Sequence, residues 1–253
     1  MSACVHSNLV NVLPEVGDGI TAKQQGWVFD ESVAKTFTSH VTKSVPLYQE
    51  VQTLAVNMAD WFVEDDSTIY DVGCSTGTTL RELYGRHKSK KNIQLIGIDN
   101  SSAMVDKARE GSKGLNPKIL NFLCQDILEY DLPANIASAI YSLYSLQFTS
   151  LSKRRELCKK IHASLKEHGA FILVEKIIDS DYRVADMFTN LHCERKVEMG
   201  LKPEENYHKT QSLRGVLNPL TVEGNITLLK ESGFSRVSTF FQWCNFVGFV
   251  AIK

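Results

Sequence analysis

The sequence has almost no excess of charge, with 28 basic against 29 acidic side chains in 253 residues. A polyanion partner would need a local patch that this average conceals, so direct nucleic-acid binding is not expected. Long apolar runs are also missing: no stretch approaches the roughly 18 residues that a membrane span requires. The polar start MSACVHSNLVNVLPEVGDG has neither the basic leader nor the apolar segment of a signal peptide, and a cytoplasmic location is expected. Cysteine pairs are absent as well. Six cysteines, at 4, 74, 124, 158, 193 and 244, include no C-x-x-C, which fits small reduced thiols better than a disulfide frame or a zinc site, so no metal is expected. No internal repeat or low-complexity tract appears, and the one basic run, HKSKK at 87–91, reads as a solvated loop.

What remains is a chain with 43 % hydrophobic residues, enough for a substantial core. The first 25 or so residues lack periodicity and read as a loose arm. From Val45, Leu47, Val51, Leu54, Ala55, Met58, Trp61 and Phe62 recur at helical spacing, with Pro46 expected in the first turn. Strand-like and helical runs then alternate. IYDV (69–72), IQLIGID (93–99), ILNFLCQD (119–126), SAIYSLYSL (138–146) and AFILVEK (170–176) read as strands. Helices are expected from about Thr78, and over 101–110, 154–165, 180–199 and 222–232. Such alternation implies a parallel sheet covered on both faces. RVSTFFQWCNFVGFVAIK (236–253) reads instead as an antiparallel hairpin at the sheet edge. The expected fold class is therefore α/β and Rossmann-like, with 1–25 as arm, 26–64 as helical lid, 65–253 as core, and 180–220 as an insertion on the substrate side.

The chemistry starts at IYDVGCSTGTTL (69–80), where a strand runs into a turn flanked by Gly73 and Gly77. A dinucleotide loop would want G-x-G-x-x-G, but Ser75 and Thr78 stand at its second and third glycine positions, which disfavours a pyrophosphate cradle. The phosphate-binding G-x-x-x-x-G-K-[ST] is absent altogether. G-C-S-T-G does satisfy the hydrolase elbow G-x-S-x-G and would make Ser75 a nucleophile. That elbow needs strands before it and a late histidine, yet no strand is read upstream and the histidines stop at His208. Asp99 closes the second strand, where a carboxylate accepts hydrogen bonds from vicinal ribose hydroxyls. Asp126 ends the third, placed to meet an adenine amino group while Ile127 covers the base. Each aspartate alone reads as readily as a turn cap. Together, in order at successive strand ends, they point to a nucleoside without a diphosphate.

This order resembles the seven-stranded class I S-adenosylmethionine-dependent methyltransferases, over about Val45 to Lys253. The resemblance implies S-adenosyl-L-methionine as cofactor, with the Gly73–Gly77 loop at its methionine part, Asp99 at the ribose and Asp126–Ile127 at the adenine. A narrower resemblance rests on WVFDESVAKTFTSHVTKSVPLYQEV (27–51), DVGCSTG (71–77), GIDNSSAMVDKARE (97–110), SLQF (145–148), VEK (174–176), the His192 region and FQWCNFVGFVAIK (241–253). These look like the carboxy-S-adenosylmethionine synthases, which join the decarboxylating group of prephenate to S-adenosylmethionine and whose product serves to modify a tRNA wobble uridine. That resemblance implies that Tyr48, Gly73, Cys74, Ser75, Asp99, Asn100, Asp126 and Ile127 line the cofactor site, and Gly77, Met104 and Leu143 complete the expected set. Two positions depart from the synthase pattern. Thr210, in HKTQSLRGV (208–216), stands where the synthase has an arginine that pairs with the added carboxylate, and Leu143 replaces an asparagine. A hydroxyl does not replace a bidentate cation. A helix through this segment would place Arg214 on the same side as Thr210 and let it substitute.

With plain S-adenosylmethionine, the protein's main task is to align a nucleophile and exclude water. His192, Tyr144 and His208 are the candidate bases, with Tyr48 and Tyr207 also on the expected crevice side, although a core histidine and a packing tyrosine are the plain alternatives. Glu175 reads equally as a substrate contact or a cap. The apolar segment Met187–Met199 reads as a lid. The leading expectation is methyl transfer to a small molecule. The synthase activity is the alternative, and a noncatalytic S-adenosylmethionine-binding regulator the third. The synthase resemblance also suggests a homodimer.

Overall fold

The computed structural model describes residues 13–253. Asp30 opens helix α1 (Glu31–Ser44), its carboxylate accepting the N–H groups of Ser32 and Val33 at 2.9 and 3.1 Å. Pro46 does not lie in the first turn of the next helix. It ends the first: Val45, the residue before it, is extended, Leu47 turns left-handed at φ 51°, and α2 (Tyr48–Asn57) starts only then.

Strands β1 (Thr68–Val72), β2 (Gln94–Asp99), β3 (Leu120–Cys124), β4 (Ala137–Leu143) and β5 (Leu165–Lys176) follow, with α3 (Thr78–His87), α4 (Ser102–Gly111) and α5 (Leu151–Ser164) between them. Helices α6 (Tyr182–Glu198), α7 (Pro203–Ser212) and α8 (Val222–Glu231) precede the hairpin β6 (Arg236–Trp243) and β7 (Phe246–Ile252). The seven strands pair in the order β3-β2-β1-β4-β5-β7-β6. The first five run parallel, and β7 pairs antiparallel with both β5 and β6. Thus the hairpin inserts its second strand beside β5 and leaves β6 at the edge.

Strand alternation divides the core between the two faces. Tyr70, Val72, Ile98 and Ile140 pack with Leu157, Ile161 and Leu229 of α5 and α8, whereas Ile69, Leu95, Ala139 and Tyr141 pack with Ala55, Leu83 and Val105 of α2, α3 and α4. At roughly 1.5–3 kcal/mol per buried large aliphatic or aromatic side chain, these layers dominate the stability of the fold.

The arm departs from expectation. Residues 1–12 lie outside the described residues, but from 13 to 25 the chain is packed: Val16 and Ile20 are buried with Trp27, Val33 and Met104, and Glu15 bridges Thr21. The basic run 87–91 departs too, since His87 closes α3 as a buried residue and the turn starts after it. Among the described residues no helix is long and apolar enough to cross a membrane.

Candidate active site

Strand order reverses between β1 and β4, and in such sheets the crevice opens at the carboxyl ends of the strands. A cavity of about 1250 Å³ lies there, roofed by α1, α2, α6 and α7. Its floor is the glycine turn. Gly73 and Cys74 donate to the Ile98 carbonyl at 2.8 and 3.2 Å, and Gly77 closes the turn onto the Cys74 carbonyl at 2.9 Å. Gly73 has φ 74°, and a Cβ there would meet Ser145 Oγ at 1.8 Å, so only glycine fits. Ser75 holds φ 50° without that freedom. Its N–H donates to Asp99 Oδ2 at 2.8 Å, while Ser101 N–H donates to Oδ1 at 2.9 Å. Asp99 thus ties the two loops together and keeps further acceptor capacity on both oxygens. Burial raises its pKa against these hydrogen bonds.

Asp71 lies within β1, two residues before Gly73. Its carboxyl is buried, lines the cavity and has no hydrogen-bond partner among the described residues, and burial followed by the Asp99 charge pushes it up to about 8. A buried carboxyl without a partner favours a cation, and the ammonium and sulfonium of S-adenosyl-L-methionine are cations of suitable reach. The residues present therefore fit that cofactor.

Of the expected cofactor set, Tyr48, Gly73, Cys74, Ser75, Asp99, Asn100, Met104, Asp126, Ile127 and Leu143 all line this one cavity. Gly77 does not; it turns left-handed at φ 74° to start α3. Asp126 keeps its cap role as well, its Oδ1 accepting Leu128 N–H at 2.9 Å. Ser75 Oγ contacts Met104 Sδ at 3.5 Å, and among the described residues no strand of the sheet precedes β1, so the hydrolase elbow has no support.

The expected bases fare differently. His192 lines the cavity, but its Nε2–H donates to the Ser44 carbonyl at 2.8 Å, and burial, with Lys196 and Lys176 nearby, pushes its pKa down to about 2. It pins α6 to the end of α1, and its Nε2 is engaged in that contact. His208 does not line the cavity; its Nδ1–H reaches the Glu15 carbonyl at 3.1 Å on the outside. Tyr207 is exposed on the outside too. Tyr144 lines the cavity at φ 61°, tilted against Tyr48 with ring centroids 5.7 Å apart. Among the described residues its hydroxyl has no partner, and burial then Tyr48 push its pKa up, so it stays a protonated phenol. Glu175 lies outside the cavity, buried near Arg154, with its Oε1 unpartnered among the described residues, and burial pushes its pKa up to about 8. The segment 187–199 is not an apolar lid either: Met187, Leu191 and Val197 face outward, and His192 and Lys196 face in.

Sequence reasoning missed the lysines. Lys176 at the end of β5, Lys196 on α6 and Lys209 on α7 line the same part of the cavity beside Tyr48, Tyr144 and Thr210. Burial lowers all three pKa values, Lys196 to about 8, and repulsion from neighbouring lysines adds to the effect at Lys196 and Lys209. None forms an ion pair with a carboxylate among the described residues. Thr210 lines the cavity, yet its Oγ1 donates back to the Asn206 carbonyl at 3.0 Å. Arg214 also lines it, from the turn after α7 rather than from the helix. Among the described residues no His/Cys/Asp/Glu cluster could hold a metal ion.

The comparisons with known proteins agree with this geometry. Residues 69–169 match a family described as a methyltransferase domain. The carboxy-S-adenosyl-L-methionine synthase of Nautilia profundicola is 39 % identical over 225 residues, covering 89 % of this chain and 94 % of that protein. The same-named protein of Staphylococcus epidermidis is 37 % identical over 228 residues, covering 90 % and 97 %. Among solved structures, human N-acetylserotonin methyltransferase in complex with SAM superposes with TM-score 0.58 at 17 % identity, covering 88 % of this chain and 56 % of that one, a likeness of fold. With most of its length aligned to them and a cavity that fits S-adenosyl-L-methionine as its cofactor, the chain belongs to the carboxy-S-adenosyl-L-methionine synthase family of S-adenosyl-L-methionine-dependent enzymes on the class I methyltransferase fold.

Proposed function

We propose that the chain forms carboxy-S-adenosyl-L-methionine, the activity for which its relatives are named, with prephenate as the carboxyl source that the family resemblance implies. The single observation that carries this reading is the continuity of the cofactor crevice with a compartment lined by Lys176, Lys196 and Lys209. Methyl transfer to a neutral acceptor has no use for buried ammonium groups, whereas an anionic co-substrate or product compensates their desolvation.

In this reading Asp99 takes the ribose hydroxyls, Asp126 and Ile127 border the adenine, and Asp71 faces the cationic methionine end. When bound, S-adenosyl-L-methionine would supply a sulfonium methyl able to lose a proton. Prephenate, on breaking its C–CO2 bond and expelling its hydroxyl as hydroxide, would supply both the base that takes that proton and the CO2 that bonds to the methyl carbon. The lysines hold the incoming carboxylate on that side, and Tyr48, Tyr144 and Phe246 wall the junction and exclude water. No base is assigned to the side chains first expected to supply one.

Methyl transfer to a small molecule is the second reading, favoured by one feature: Thr210, whose hydroxyl is already engaged within its own helix, stands where the synthase pattern has a guanidinium. Mass spectrometry of the nucleoside released from freshly purified protein, and after incubation with prephenate, separates the two. Carboxy-S-adenosyl-L-methionine is the expected product. S-adenosylhomocysteine accompanied by a methylated acceptor would overturn the synthase reading.

A further inference from the structure

Lys209 is held by a chain of polar contacts that none of the expected site residues includes. Its ammonium contacts His40 Nε2, donates to Ser44 Oγ at 3.0 Å, and lies 4.7 Å from the centre of the Trp27 ring. The His40 ring stacks on the same indole with centroids 5.6 Å apart. On its other side, His40 Nδ1 lies 3.2 Å from Asp18 Oδ2, and Asp18 also binds Lys43. Asp18 sits between Gly17 and Gly19 at φ 53°, on the packed part of the arm. That arm is stitched to the end of the Lys209 helix, since Gln25 N–H donates to the Gln211 carbonyl at 3.0 Å and Trp27 N–H to the Ser212 carbonyl at 3.2 Å.

We propose that Asp18 and His40 are positioning residues that present the Lys209 ammonium to an anionic group of the bound ligand, in place of the guanidinium lost at position 210. This rests on the carboxyl-transfer reading. The proton placement follows from the contacts. Asp18 stays ionised because Lys43 outweighs its burial, so it takes the Nδ1–H of His40. The imidazole Nε2 is then a lone pair that only a donor can approach, and Lys209 is that donor. Burial pushes His40 down to about 3, so the ring stays neutral and does not repel the ammonium. Two of the three ammonium protons are thereby directed to His40 and Ser44, and the remaining one is free for a ligand in the cavity that Lys209 lines. The other titratable groups around Lys209 are Lys43 on α1, Lys176 on β5, and His192, Cys193 and Lys196 on α6. Their charges are cationic or absent, so Asp18 is the one counter-charge in this set, acting through His40.

Equilibrium binding of S-adenosyl-L-methionine and of synthetic carboxy-S-adenosyl-L-methionine to the full chain tests this directly. His40→Phe keeps a ring on Trp27 but removes both nitrogens, and Asp18→Asn removes the counter-charge. Each is expected to weaken carboxy-S-adenosyl-L-methionine about tenfold while leaving S-adenosyl-L-methionine within about twofold, as loss of one oriented charge-assisted hydrogen bond would. His40→Gln, which restores an acceptor, should recover part of the preference. An unchanged preference in both variants, or an equal loss for both ligands with a lowered melting temperature, would overturn the proposal. The ratio is read without turnover. A wild-type chain that prefers the carboxylated nucleoside yet forms none from prephenate would therefore sink the catalytic reading and leave the positioning role supported.

Discussion

The two ends of the cavity are built on opposite electrical plans. At the strand ends, Asp71 and Asp99 are buried carboxyls raised in pKa by desolvation; under the helical roof, Lys176, Lys196 and Lys209 are buried ammonium groups lowered by it. The sheet supplies the first set from residues whose neighbours in sequence are strand and turn. The second set is assembled from β5, α6 and α7, segments that meet only in the folded chain. Among the described residues neither Asp71 nor the three lysines pair directly with an opposite charge, and a zwitterionic, carboxylated nucleoside would bring one to each end. A site built for a neutral acceptor would leave the lysines as a cost of several kcal/mol with no return.

The comparison breaks first at Asp99. This carboxylate accepts the N–H groups of both Ser75 and Ser101, so Asp99→Ala removes the loop tie together with the proposed ribose acceptor. Calorimetry should show S-adenosyl-L-methionine affinity falling by about a hundredfold or more, with both cofactor forms affected alike. A loss confined to the carboxylated form would mean that the two ends are not separate.

Proton exchange gives the next largest effect, and its sign differs between the ends. Asp71 has its folded pKa raised to about 8, whereas an unfolded aspartate ionises near ~4. Between those values the folded chain binds the extra proton, so this group's contribution to stability falls as pH rises through the window. Lys196, lowered to about 8 from ~10.4, does the reverse: the unfolded chain binds the extra proton between those values, and stability rises with pH there. A cationic ligand end at Asp71 must therefore release protons at pH 7. An anionic group at the lysines must take protons up at pH 8.5. Calorimetry in two buffers of different ionisation enthalpy reads both, and Asp71→Asn should abolish the release and weaken S-adenosyl-L-methionine about tenfold. Absence of release in the wild-type chain would remove Asp71 from the cofactor site.

The acidic end was legible in the sequence because its signal is local. A strand, a glycine turn and an aspartate closing the next strand occupy one continuous stretch, and the parallel alternation fixes that they meet at one edge. Asp71 was in plain view as the one charged residue of a fully buried strand, but a search for residues after strands passes over a residue within one. The lysines carried weaker signals. Lys176 follows Glu175 at a strand end, the same kind of place that exposed Asp99, and Lys196 lies four residues after His192, hence on the same helix face. Lys209 gave none, because α7 is polar around much of its circumference and the burial comes from the arm and α1. The arm itself was misread for a related reason: Val16 and Ile20 are two isolated apolar residues without a period, and only Trp27 and α1 give them something to pack against.

The smallest expected effect, and the sharpest test of the comparison, is Thr210→Arg. If a missing guanidinium were the whole reason to doubt carboxylate binding, restoring it would strengthen carboxy-S-adenosyl-L-methionine by about a hundredfold, the scale of a buried bidentate pair. The geometry argues for much less. The new side chain would follow directly on Lys209 in a wall that already contains Lys176 and Lys196, so each gain in hydrogen bonding is opposed by like-charge repulsion and by further desolvation. Competition binding should show a gain below about tenfold for the carboxylated nucleoside and a slight loss for S-adenosyl-L-methionine, whose own cationic end meets a more positive cavity. A gain near a hundredfold would mean that the three lysines do not engage the carboxylate in the native chain, and the basic end would then have to be read as serving a different anion.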